Sequence, residues 1–335
     1  SDTGNTRGIF LSEYDNYLYR TQKSPFTHPD NDFVDMFTKN GFQQKYNVNL
    51  SGGNKTVRYF VSVGYFTQTG IFETDVDKIK EHETIQALLA ASPDVAKGLY
   101  KEGYDSEYRY NRLTTRSNID INLTEDFKVS VNLAYRFGSQ NRPYGYDANG
   151  DEALRLFGMF YRNSPQAFPI LNANGTYAAA DGIWRQNPLV TLCYSGFFLN
   201  FSNKLETDFV FKYNLRKLLK GLSIDGKFSY DAGWNNNRSI QQRPNIFQNN
   251  PIAETYKQGL EMVLPTKATN KTAATHRKYA EAEVRYKQSF SGHNISGLVL
   301  YNMSYTSTPG GRYSYVPHIY QALVGRVNYD YENRY

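Results

Sequence analysis

The stretch KTVRYFVSVGYFTQTG, residues 55–70, alternates. Val57, Tyr59, Val61, Val63, Tyr65 and Thr67 take its odd positions; Arg58, Phe60, Ser62, Gly64, Phe66 and Gln68 take its even ones. Successive strand side chains point to opposite faces, so a period of two marks a β-strand whose two sides meet unlike surroundings. One side is apolar and aromatic, and the other carries Arg, Ser, Gly and Gln. The question is whether the apolar side packs on a protein core or on lipid.

Composition alone leaves that open. The chain has 335 residues, 40% of them hydrophobic, and a mean hydropathy of -0.64. Its 29 Tyr and 21 Phe bring aromatics to 16%, a combination that suits amphipathic strands, because aromatic residues fit a pleated, half-buried surface. No apolar run approaches the roughly 20 residues of a spanning helix. A net charge of +6 with Lys and Arg dispersed along the chain gives no nucleic-acid footprint. The single cysteine, Cys193, excludes an internal disulfide framework and a multi-cysteine metal site. Ser1 opens a polar stretch without Met or a leader, which reads as the start of a piece of a longer chain.

The alternation recurs. In FKVSVNLAYRF, Phe127, Val129, Val131, Leu133, Tyr135 and Phe137 form one apolar face against Lys128, Ser130, Asn132 and Arg136. RLTTRSNIDINL precedes it across the short Thr124–Asp126 corner, so the two read as a hairpin. KLETDFVFKYNL and GLSIDGKFSYDAGW meet across Leu218–Gly221, and KYAEAEVRYKQSF and HNISGLVLYNMSYTS across Ser291–His293. QKYNVNLSG joins the opening stretch through Ser51–Asn54, and QALVGRVNYDYENRY ends the chain. The expected fold is all-β, an antiparallel transmembrane β-barrel segment of about nine strands. Residues 1–42 form a lead-in and residues 43–335 a partial barrel domain.

The connections carry the most information, because short ones alternate with long ones. Long connections are expected at about 70–111, 139–197 and 235–275, and an intermediate one at about 306–317. Outer-membrane barrels have short periplasmic turns and long extracellular loops. The strands also exceed the five or six residues usual in globular proteins and reach the 9–11 of a tilted spanning strand. A sheet packed on a soluble core would give the same alternation; loop asymmetry and strand length favour the membrane.

Energetics then assigns the faces. Lys or Arg facing lipid costs about 2–4 kcal/mol at the midplane. Lys128, Arg136, Lys204 and Lys212 are therefore expected to line the lumen, and Val61, Val63, Phe127, Val129, Phe209 and Phe211 to face lipid. Tyr65, Tyr135, Tyr230, Trp234, Tyr305 and Tyr331, near strand ends, suit interfacial girdles. Ser92-Pro93 and the spacing of Leu154, Phe157, Gly158 and Tyr161 predict helices within the long loops. Tyr144, Tyr146, Trp184 and Trp234 are candidates for stacking on sugar faces.

No HExxH, GxSxG or P-loop occurs, Ser51-Gly52-Gly53 reads as a turn, and no enzyme, cofactor or metal site is expected. DANGDE, residues 147–152, approaches a calcium loop, but Gly150 is misplaced and no Glu follows at the twelfth position.

NVNLSGGNKTVRYFVSVGYFTQTGIF resembles the early barrel segment of the SusC/RagA family of TonB-dependent outer-membrane transporters. Asn47, Leu50, Ser51, Gly52, Gly53, Tyr59, Phe60, Ser62, Gly64 and Tyr65 carry the likeness. DNDFVDMF (30–37), NANGTY (172–177), NPLVTL (187–192), LKGLSIDGKFSYD (219–231), FSGHNISGLVLY (290–301) and VPHIYQALVGRVNYDYENRY (316–335) extend it in order along the chain. The resemblance implies a barrel of about 22 strands with an N-terminal plug. It implies a SusD-like surface lipoprotein as partner, import driven by TonB through an N-terminal segment that this chain lacks, and an outer-membrane location in a Gram-negative, Bacteroidota-like cell. The expected cargo is an oligosaccharide. An oligopeptide importer of the same family and a non-transporting surface glycan-binding β-protein stay open as alternatives.

Overall fold

The computed structural model describes residues 11–145, 152–179, 187–250, 255–271, 274–308 and 316–332. Thirteen strands occur among them. They are β1 (Gln43–Gly53), β2 (Val57–Thr69), β3 (Arg109–Asn122), β4 (Phe127–Pro143), β5 (Tyr177–Ala178), β6 (Gly196–Asn214) and β7 (Leu222–Arg243). After them come β8 (Ile246–Asn250), β9 (Thr255–Leu260), β10 (Val263–Lys271), β11 (Thr275–Phe290), β12 (His293–Ser307) and β13 (His318–Tyr331). Five α-helices accompany them: α1 (Glu13–Thr21), α2 (Phe33–Phe37), α3 (Val76–Lys80), α4 (Glu83–Ala91) and α5 (Glu152–Arg162). None is long and apolar enough to cross a membrane.

Nine strands form one antiparallel meander in the order β1-β2-β3-β4-β6-β7-β11-β12-β13, and β10 pairs with the far half of β7. The sheet is open, with β1 and β13 as its two edges. Pairing is direct and without slips from β1 to β13, so one face can be followed through the register. Val48, Val63, Thr115, Tyr135 and Leu205 lie along one such line, and Val129, Phe211 and Gly226 along another. All belong to the apolar face. Val61, Val63, Phe127, Val129, Phe209 and Phe211 share it; Lys128, Arg136, Lys204 and Lys212 share the opposite, polar face. Near the end of the chain the contrast softens, because Leu298, Leu300, Ala322 and Val324 stand on the polar side of β12 and β13.

Short turns close one end of the meander by local chemistry. Asn54 Oδ1 accepts from the Thr56 and Val57 amides at 2.8 Å each. Thr124 Oγ1 accepts from the Phe127 amide at 3.0 Å. Ser291 and Gly292 both have positive φ, 49° and 80°, the two-residue hairpin turn whose twist matches the flanking strands. Ser51, Gly52 and Gly53, expected in the turn, instead continue β1 opposite Phe60, Tyr59 and Arg58. The turn chemistry lies one step further on, at Asn54.

The other end differs more from expectation. β4 runs to Pro143, β6 starts at Gly196 and β7 runs to Arg243, so the long connections narrow to 144–195 and 244–274. Segments such as NNNRSIQQR (235–243) lack an apolar face and read as loop. The backbone ladder, however, needs no apolar face once both sides are polar.

Every member of the buried hydrophobic cluster lies outside the nine wall strands. Phe33, Phe37, Ile79, Ile85, Leu88, Val95, Ile170, Leu171, Leu189, Leu192 and Ile246 belong to it. The lead-in helices and the long connections thus fold together into a cap at one end of the wall. Gly196 starts β6 beneath that cap with φ +94°, and a Cβ there would lie 1.9 Å from the Ile240 carbonyl oxygen. Gly196→Ala is expected to destabilise the fold by about 1–3 kcal/mol or more, seen as a lowered thermal midpoint of the full-length protein.

Candidate functional site

The polar face bears a concavity of about 710 Å³ lined by residues including Arg116, Asn132, Glu206, Asp208, Lys227 and Asp231. Around it, many charges of the polar face are paired. Lys128 stands directly opposite Lys212, and Arg136 opposite Lys204, pairings that repel in isolation. Acids relieve them: Glu206 ion-pairs with Lys204, and Asp225 faces Lys212 across β6–β7. Lys227 reaches Asp208 at 3.4 Å, and Arg285 bridges Asp225 at 3.3 Å and Glu283 at 2.5 Å. This is a solvated, ion-paired wall.

The apolar face has a different edge chemistry. Tyr65 donates to Asn111 Oδ1 at 3.3 Å and Tyr135 to Asn203 Oδ1 at 2.7 Å; the Tyr230 hydroxyl lies 2.9 Å from His276 Nδ1. In each case the ring stays with the apolar band while the hydroxyl meets a polar group on the next strand, nearer the cap. At the opposite end the Tyr329 hydroxyl lies 2.8 Å from His293 Nδ1. From Phe127 to Phe137 the band covers ten residue steps. At about 3.3 Å per residue and a tilt of about 40° that is roughly 25 Å of height.

Side-chain hydrogen bonds to backbone groups hold the cap together. Asn187, which opens NPLVTL, donates to the Ile170 and Ala178 carbonyls at 2.6 and 3.0 Å and accepts from the Leu189 and Val190 amides at 3.0 and 3.3 Å. Asn31 donates to the Phe168 carbonyl at 2.7 Å, sewing the lead-in to the long connection. The Tyr194 hydroxyl accepts from the Tyr100 amide at 3.1 Å and donates to the Tyr100 carbonyl at 2.8 Å. α5 bears out the helical spacing around Phe157 and Tyr161. Ser92 precedes a 3-10 helix, Pro93–Gly98, and its hydroxyl donates to the Ala173 carbonyl instead of capping that helix. Cys193 is buried, and burial pushes its thiol well above the usual range.

Of the stacking candidates, the two described ones, Tyr144 and Trp234, stand apart. Tyr146 and Trp184, and most of DANGDE, lie outside the described residues. Tyr144 donates its amide to the Gly196 carbonyl at 3.1 Å. Gly196 pairs with Gln241 while Trp234 pairs with Asn203, seven steps or about 23 Å along β7. Trp234 also shares the apolar face with Tyr230, away from the concavity. Among the described residues no cluster of three or more His, Cys, Asp or Glu could hold a metal.

With this geometry, the comparisons with known proteins become informative. No protein-family model matches the chain. It is 23% identical over 319 residues to TonB-dependent receptor P3 of Formosa agariphila, covering 85% of this chain and 26% of that protein. It is 23% identical over 262 residues to TonB-dependent receptor P26 of the same organism, covering 68% of this chain and 22% of that one. Among solved structures, the RagAB peptide transporter superposes with a TM-score of 0.55 at 16% identity, over 95% of this chain and 34% of that chain. The RagAB peptide importer in its open-open state gives 0.56 at 16% identity, over 98% and 36%. The sheet is similar to the barrel walls of TonB-dependent transporters. The chain spans about a quarter of the length of the curated relatives it matches, at 26% and 22%. Those relatives are named as receptors, not enzymes.

Tyr194→Phe removes both bonds to the Tyr100 backbone, at an expected cost of about 1–3 kcal/mol. Cys193 reports it: the native thiol should resist maleimide labelling in the full-length protein, and the variant should label measurably faster.

Proposed function

We propose that this chain is part of the wall and extracellular cap of a SusC/RagA-type, TonB-dependent outer-membrane importer of oligosaccharides. One observation carries the reading. The wall's apolar face is exposed, with Leu133 at 43%, Phe209 at 44% and Val299 at 55%, while the buried hydrophobic cluster of the described residues sits in the cap. A contiguous apolar surface of this size needs cover, and a band roughly 25 Å tall edged by tyrosines fits the hydrocarbon layer.

In this reading Val61, Val63, Phe127, Val129, Phe209 and Phe211 face lipid, and Lys128, Arg136, Lys204 and Lys212 face the lumen. The open edges β1 and β13 pair with further strands of a barrel of about 22. The cap lies outside the cell, where a SusD-like lipoprotein docks and hands over cargo. TonB acts through a segment outside this chain, and the cell is Gram-negative and Bacteroidota-like. This reading is of a transporter wall and not of an enzyme, in line with the curated relatives, which are named receptors. The fold shared with the RagAB peptide transporter favours a second reading, oligopeptide import.

Two measurements on the full-length protein test the membrane reading. An epitope inserted at Gly103, in the cap, should stain on intact cells, and one at Lys220, in a short turn, should stain only after permeabilisation. Staining at both without permeabilisation would mean a wholly external module. Leu133→Lys should cost about 2–4 kcal/mol in refolding into lipid vesicles, while Asn132→Lys, on the polar face, should be tolerated.

A further inference from the structure

Above the ion-paired concavity, the polar face changes character. Gln68, Tyr110, Gln140, Asn200, Asn237 and Asn270 stand in one continuous line of register across β2, β3, β4, β6, β7 and β10. At about 4.8 Å between strands the line extends roughly 24 Å. It contains no charged residue. Three of its members, Gln140, Asn237 and Asn270, sit in the strand extensions and the added strand beyond the apolar band.

These carboxamides are unlike Asn187 of the cap. Asn187 satisfies both ends of its amide four times over. Among the described residues, the side chains of Gln68, Gln140, Asn200, Asn237 and Asn270 make no hydrogen bond to the protein; Gln68, Gln140 and Asn270 are open to solvent. For Asn237 this is costly, because its Oδ1 is sealed from solvent and still lacks a donor. A buried acceptor without a partner calls for an explanation, and an absent ligand is one. Ring faces flank the line on the same side. Phe66 lies one row below with the Arg112 guanidinium 5.3 Å from its centroid, and Phe198 one row above with Arg142 at 4.5 Å.

We propose that this amide row is a binding site for an oligosaccharide laid across the strands at the extracellular mouth of the wall. The inference rests on the import reading above and names where the cargo is held. A carboxamide offers two donors and an acceptor in one plane, so it can donate to one sugar hydroxyl and accept from its neighbour. Neighbouring amides at the strand spacing repeat that pattern along a chain of rings, and the aromatic faces take the apolar faces of the sugars. An extended peptide would instead be read by backbone pairing along a sheet edge. Here every contact comes from side chains on a face and runs across the strands.

The test uses the purified full-length receptor. Its probes are immobilised hexasaccharides of glucan, mannan, xylan and galactan, and a matched set of unstructured hexapeptides. The receptor should bind at least one saccharide. Asn237→Leu should weaken that binding about tenfold, and the combined Gln140→Leu, Asn200→Leu, Asn237→Leu variant should abolish it. Folding of each variant is checked by heat-modifiable gel migration. If the triple variant does not fold, the isosteric Asn237→Asp decides, since it replaces the amide donors with a charged acceptor and should also weaken binding. Unchanged saccharide affinity in the folded variants overturns the site and leaves glycan import standing. Binding of peptides only, or of neither set, overturns both.

Discussion

The structure depends on one constraint, the unbroken register of the nine-strand meander. A one-residue slip at any pairing would carry every side chain of that strand to the other face. At β4 it could place Lys128 opposite Phe211 on the apolar side and Val131 opposite the ion-paired Asp208. The polar side punishes slippage as well, because its charges are arranged by register. Asp225 opposite Lys212 offsets the repulsion between Lys212 and Lys128. A single close contact shows how tightly the faces are fitted: the Phe211 ring lies over Gly226, where a Cβ would come within 2.0 Å of it. An aromatic ring covering a strand glycine supplies packing that the glycine lacks.

The wall and the cap solve opposite problems. The wall satisfies its backbone by strand pairing and leaves its apolar face outside the protein. The cap is built of short helices and strands joined by irregular segments, so side chains satisfy many of its backbone groups. Asn31, Asn187 and Tyr194 do so at positions where no ladder is available. Because the cap grips the upper ends of β6 and β7 through Ser195 and Gly196, it also fixes the spacing of the strands that carry the amide row. The cap is thus a scaffold for the mouth and not a set of free loops.

Much of the wall was legible from residues alone, because membrane-height strands need strict alternation and Lys128, Val129, Phe209 and Lys212 announce their faces. The strand extensions were not. NNNRSIQQR has polar residues on both sides, and period two is invisible where the two faces do not differ. The amide row lies largely in those extensions, so its members gave no signal until pairing set Gln140 beside Asn200 and Asn237. Aromatic residues drew attention instead, and Trp234 proved to share the apolar face.

The sequence by itself determined the strand count of the meander, the assignment of side chains to two faces and the end at which long connections gather. These follow from local periodicity and turn chemistry. Only the tertiary structure decided that the connections share a core, that the strands outrun the apolar band, and which polar side chains stand in line. Those facts depend on contacts between residues far apart in the chain, for which a single sequence carries no periodic mark.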